Sequence, residues 1–120
     1  TSQPTVAVEH AARGQSYTVD YGGTLGFQYA PDIARAFIEA SRRPTEAAPA
    51  FNLPADTIPV RSFLDVATNI TGIELFCGDV GLDLVDEGAA DSWTEWVTEW
   101  STTPLTDAIR ESADIFSNHD

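Results

Sequence analysis

Nineteen acidic residues face only six basic ones in this chain of 120, a formal net charge of −13. A chain so charged closes only around an apolar core that outweighs its own repulsion, or in salt that screens it. The core material is present: 42% of the residues are hydrophobic, and a chain of this length can bury about two thirds of its unfolded surface in one domain. The single cysteine, Cys77, leaves no internal disulfide to help. The six bases are Arg13, Arg35, Arg42, Arg43, Arg61 and Arg110, and lysine is absent. Acid excess without lysine suggests a salt-adapted, halophilic host; a GC-rich genome would also explain arginine in place of lysine, though not the acids, and an ordinary solvated acidic surface is the plainer alternative. The imbalance is concentrated, with six acids and four arginines in residues 1–60 but thirteen acids and two arginines in residues 61–120. Nucleic acid and anionic membranes are poor partners, because no basic footprint exists to meet their phosphates. No apolar run approaches the ~20 residues that span a bilayer and no secretion signal is visible, so the expected location is cytoplasmic.

Glycine and proline divide the chain into short elements. Thr5–Arg13 is rich in helix formers and closes at Gly14; Ser2 or Thr1 can cap it, and Pro4 suits its first turn. Tyr17 and Val19 alternate with polar neighbours in Ser16–Tyr21, a half-buried strand, followed by a Gly22-Gly23 turn and a second strand, Leu25–Tyr29. Pro31 opens a helix to Ser41, with Asp32 at the positive end of its dipole and an apolar stripe of Ile33, Ala34, Phe37 and Ile38. A loop, Pro44–Pro49, leads to a short strand, Ala50–Leu53. Phe63, Val66, Ala67 and Ile70 mark a helix over Pro59–Ile70, stopped by Gly72. Ile73–Cys77 reads as a buried strand and Gly78–Ala90 as an acidic loop. Trp93, Trp96, Val97 and Trp100 form a stripe on a helix over Asp91–Trp100, a packing face or a docking surface. Pro104 opens a last helix carrying Leu105, Ile109 and Phe116. This order predicts an α/β fold, a small mixed sheet with flanking helices, as a single domain over residues 1–120.

No catalytic set can be assembled from these residues. His10 lies on the apolar side of a helix and His119 next to the end, with no serine elbow near either. Cys77 sits in an apolar strand near acids, poor surroundings for a nucleophile. Asp79, Asp83, Asp86 and Glu87 offer hard oxygen ligands, but their spacing is not that of a calcium-binding loop. No glycine-rich phosphate loop is encoded.

The residues do suggest a family. Phe27-Gln28-Tyr29-Ala30-Pro31-Asp32-Ile33-Ala34-Arg35-Ala36-Phe37-Ile38 resembles a recurrent strand-to-helix stretch of the extended short-chain dehydrogenases/reductases, the NAD-dependent epimerase/dehydratase superfamily. Thr1-Ser2-Gln3-Pro4-Thr5, Tyr21-Gly22-Gly23, Phe51-Asn52-Leu53, Ile58-Pro59-Val60 and the closing Thr103–Ser112 helix resemble further segments of it, in the family's order. The family's cofactor fingerprint and its catalytic tyrosine-lysine pair match nothing in this sequence. The resemblance therefore implies the C-terminal, substrate-binding portion of such an enzyme, without its dinucleotide-binding half. It implies NAD or NADP in the parent and no cofactor or catalytic residue in this chain. The ligand would be sugar-like, and the residues implied to orient it are Ser2, Thr5, Gln28 and Tyr29. The family's arginine after the glycine pair is replaced here by Thr24 and Leu25, which weakens the case for a charged substrate at that position.

Three functions follow as expectations. The first is the substrate-binding portion of an NAD(P)-dependent sugar or sugar-nucleotide epimerase, dehydratase or dehydrogenase, inactive alone. The second is a non-catalytic binding or assembly module that kept this fold. The third is a small acidic metal-binding protein. Under the first two, apolar residues such as Ile33, Phe37 and Ile38 lack the domain they once met. A homo-oligomer, or a separate partner carrying the Rossmann half, is expected to cover them.

Overall fold

The computed structural model describes residues 2–43, 56–81, 91–97 and 99–118. The expected cap at Thr1, the loop Pro44–Pro49, the strand Ala50–Leu53, three of the acidic ligand candidates (Asp83, Asp86 and Glu87) and His119 lie outside the described residues.

Helices α1 (Gln3–Ala12), α3 (Val60–Thr71) and α5 (Leu105–Asn118) pack on one another and hold the main core. Each contributes one stripe: Ala7, Val8 and Ala11 from α1; Val60, Phe63, Leu64 and Ala67 from α3; Ile109 and Ala113 from α5. Small residues at Ala7, Ala11, Ala67 and Ala113 let the helix backbones approach, and Leu64 fills the space between them. Pro4 stands in the first turn of α1, where a missing N–H is no loss, and Ser2 occupies the N-cap position without capping through its hydroxyl. Gly72 ends α3 in the left-handed conformation at φ 76°, which glycine adopts without steric cost.

The strands form two separate ladders. β1 (Thr18–Val19) runs parallel to β4 (Phe76–Cys77), and β2 (Thr24–Phe27) pairs antiparallel with β3 (Asp56–Pro59). The strand structure is therefore small and combines parallel with antiparallel pairing, in two ladders, and its pieces are shorter than Ser16–Tyr21, Leu25–Tyr29 and Ile73–Cys77. Backbone contact explains part of this. Gly22 and Gly78 bring the chain after β1 and the chain after β4 together so closely that a Cβ on Gly22 would stand 2.5 Å from the Gly78 carbonyl oxygen. Regular pairing thus gives way to a single Gly22–Gly81 bridge. β3 is a strand the hydrophobic pattern did not reveal. It runs directly into α3, with Pro59 serving as both last strand residue and N-cap.

α2 (Ala30–Ser41) and α4 (Asp91–Trp96) build a second cluster, in which Ala36 and Ala40 of α2 receive Trp93, Trp96, Val97 and Trp100. The tryptophan stripe is thus mainly packing, with Trp93 only 2% exposed, and it does not add an uncovered face. The α4 helix stops at Trp96 instead of reaching Trp100, so Trp100 can turn its ring edge-on to Trp93 at 5.3 Å. Phe37 and Ile38, 74% and 51% exposed, point away from this cluster, because the small alanines take the packing side of α2. Among the described residues no helix is long and apolar enough to cross a membrane.

Candidate functional site

A cavity of about 480 Å³ opens where the start of α2 faces α5 and the first turns of α1. Its apolar walls include Val8, Phe27, Ile33, Phe63, Leu105 and Phe116. Phe27 at the end of β2 and Phe63 on α3 lie ring on ring, with centroids 4.5 Å apart and planes 9° from parallel. Polar groups interrupt this lining, among them Thr5, Gln28, Tyr29, Asp32, Thr102, Thr103 and Ser112, together with the Trp100 indole N–H, which has no partner among the described residues. A concave, mostly apolar space with a few placed polar groups is the usual form of a small-molecule site.

Local sequence explains how the polar groups arrive there. β2 ends at Phe27, and Pro31 sets the first turn of α2, so Gln28 and Tyr29 occupy the short corner between strand and helix. Asp32 follows in that first turn and is 8% exposed. Its carboxylate accepts from the Thr103 backbone N–H at 2.9 Å, the Thr103 hydroxyl at 2.6 Å and Arg35 at 3.2 Å. These bonds tie α2 to the segment that leads into α5. Arg35 also donates to the Ser101 carbonyl and stands 4.4 Å from the centre of the Trp100 ring.

Tyr29 bridges the same two elements from the other side of the corner. Its hydroxyl donates to Glu111 at 2.5 Å. That bond, then burial and then the charges of Glu111 and Asp32, push the phenol up to about 12. Tyr29 therefore stays protonated at neutral pH and presents a phenolic oxygen whose proton is already committed. Ser112 likewise donates to the Ala108 carbonyl of its own helix at 2.9 Å.

Of the residues expected to contact a ligand, Thr5 on α1 and the adjacent pair Gln28 and Tyr29 before α2 line this one cavity. Ser2 does not line it; its hydroxyl stands 2.9 Å from the Thr5 hydroxyl. Asp32, Thr103 and Ser112 were not foreseen at the site. Asp32 has the position of an ordinary dipole-complementing acid, and only a pairing across 71 positions reveals its second role. His10, by contrast, has a local explanation: Nδ1 lies 2.9 Å from the Val6 carbonyl and the ring packs 4.9 Å from Tyr17. Cys77 is a free, half-buried thiol outside the cavity.

No protein-family model matches the sequence, and no curated protein matches it. Solved structures match its fold. RMD from Pseudomonas aeruginosa, complexed with NADPH, aligns over 98% of this chain and 42% of its own, with a TM-score of 0.73 and 12% identity. UDP-glucuronic acid 4-epimerase from Bacillus cereus, in complex with NAD, aligns over 97% of this chain and 37% of its own, at TM-score 0.71 and 12% identity. WbmH from Bordetella bronchiseptica, in complex with NAD+, aligns over 99% and 41%, at TM-score 0.65 and 15% identity. The fold is thus that of a portion of these NAD- or NADPH-bound structures, an α/β architecture of the kind the sequence motifs imply. The chain spans about two fifths of the length of the structures it matches.

Proposed function

We propose that this chain is the substrate-binding portion of an NAD(P)-dependent enzyme acting on a sugar or a sugar nucleotide. The observation that carries the reading is the convergence of Thr5, Gln28 and Tyr29 on one ligand-sized cavity within this fold. The neighbouring structures supply the rest: one is a UDP-glucuronic acid 4-epimerase, and those described above hold NAD, NAD+ or NADPH. Hydride chemistry belongs to the nicotinamide of the parent enzyme. This portion would hold the substrate in place, with hydroxyl and phenol oxygens at the cavity edge meeting substrate hydroxyls while apolar walls exclude water.

Apolar surface at Phe37 and Ile38 supports a further part of the same reading, in which α2 is covered by a second copy or by a separate Rossmann-containing partner. A cytoplasmic, salt-rich setting agrees with the charge of −13.

Saturation-transfer nuclear magnetic resonance on the full chain tests the reading. The ligands are methyl glucoside, 4-methylumbelliferyl glucoside and UDP-glucuronic acid. Ser112→Phe is the blocking variant, because a ring at that α5 position fills the cavity while keeping the helix. At least one of the three ligands is expected to receive saturation from the wild type and to lose it in Ser112→Phe. Equal signals in both proteins, or none with any ligand, would sink the proposal.

A further inference from the structure

We propose that the part of the substrate held by this chain is uncharged: an apolar ring or chain edged with hydroxyl or carbonyl groups, not a diphosphate or a carboxylate. The inference deepens the proposed function and rests on its reading of the cavity as a substrate site.

A diphosphate or carboxylate is best held by a cation, and among the described residues none is directed into the cavity. The chain's cations are six arginines, and each is already beside an acid. Arg13 is 2.7 Å from Glu9, Arg35 is 3.2 Å from Asp32, and Arg61 is 2.8 Å from Asp65. Arg42 and Arg43 both meet Glu39, at 3.5 and 2.5 Å, and Arg110 is 3.6 Å from Asp107. No arginine is among the described residues that line the cavity, and the charged side chain that does line it, Asp32, is negative.

Three of the lining hydroxyls have already given their protons away, and the Trp100 indole N–H, which also lines the cavity and has no partner among the described residues, is a neutral donor suited to a carbonyl or hydroxyl oxygen. The Tyr29 proton is given to Glu111, the Ser112 proton to Ala108, and the Thr103 hydroxyl proton to Asp32. Each of these oxygens keeps lone pairs, so together they accept hydrogen bonds from ligand hydroxyls more readily than they donate to an anion. A phosphate placed here would give up its hydration, face Asp32, and gain no cation in exchange. The phenyl rings of Phe27, Phe63 and Phe116 instead offer an apolar group favourable burial, on the order of 25 cal/mol per Å² removed from water.

Calorimetric titration of the full chain with 4-methylumbelliferyl glucoside and with UDP-glucuronic acid tests this. The wild type and two variants are compared: Ser112→Phe, which blocks the cavity, and Phe37→Glu, which removes an exposed apolar residue outside it. The expected result is binding of the uncharged aryl glucoside, weakened about tenfold or more by Ser112→Phe and unchanged by Phe37→Glu, with UDP-glucuronic acid at least about tenfold weaker. UDP-glucuronic acid binding as tightly as the aryl glucoside, or more so, and lost in Ser112→Phe, overturns the inference and leaves the cavity a substrate site. Insensitivity of both ligands to Ser112→Phe, or absence of binding by both, overturns the inference and the substrate-site reading together.

Discussion

Asp32 is the joint on which the cavity depends, and replacing it by alanine gives a quantitative test. Two of its bonds reach Thr103, 71 positions away, and they fix the start of α2 against the chain leading into α5. A hydrogen bond to a charged group contributes about 1.5–3 kcal/mol. Thr103 is only partly buried, so water replaces some of what is lost, and the lower figure applies to each bond. Arg35, which also bonds Ser101 and stacks on Trp100, keeps solvent access and adds little to the cost. Asp32→Ala is therefore expected to destabilise by about 3 kcal/mol, near 10 °C in Tm for a domain of this size. Thr103→Val removes the hydroxyl bond alone and is expected to cost about half as much. Thermal unfolding followed by circular dichroism gives both values, and the double variant gives their coupling. Additive losses, with no coupling between the two substitutions, would refute the argument that Asp32 acts through Thr103.

Further expectations follow from the same geometry. Gly78→Ala places a Cβ 2.7 Å from the Asp20 carbonyl oxygen and should cost about 1–3 kcal/mol, read from urea unfolding. The Tyr29 phenol is raised by its bond to Glu111, so the stability it lends is complete below the unfolded value of 10.0 and is lost as pH rises through about 12; ultraviolet titration of wild type against Tyr29→Phe reads that step directly. Tm should rise between ~0.1 M and ~2 M KCl as salt screens the acids, and a flat profile would remove the salt-adapted reading. Phe37→Glu should shift any oligomer toward monomer in light scattering with helix content unchanged, whereas a wild type that is monomeric at every concentration would count against the association proposal.

Much of this fold was legible because helical spacing and breakers act locally. Gly72 stops α3 where a left-handed residue is required, and Pro31 and Pro104 mark the starts of α2 and α5 closely. The strands were less legible because two-residue ladders carry almost no alternation. β3 was missed for a related reason: Pro59 is a helix-start signal, and it concealed the extended Asp56–Pro59 segment before it. On α2 the spacing of Ile33, Phe37 and Ile38 suggested the buried face, but close approach to three tryptophans favours alanine there, and Phe37 is left outside. The resemblance singled out Thr5, Gln28 and Tyr29, which line the cavity, and Ser2, which does not. The Asp32–Thr103 and Tyr29–Glu111 pairings were not legible, because contacts across 71 and 82 positions leave no periodic trace.

The central claim, that ligand sits between the start of α2 and α5, is tested most directly by mapping amide shifts on a 15N-labelled full chain during titration with 4-methylumbelliferyl glucoside. The account predicts that the largest movements fall on Thr5, Gln28, Tyr29, Thr103 and Ser112, with the Trp100 indole moving alongside them. Shifts gathered instead around Asn69, Ile70 and Arg110, where a second and smaller cavity lies, or spread evenly over the chain, would contradict it.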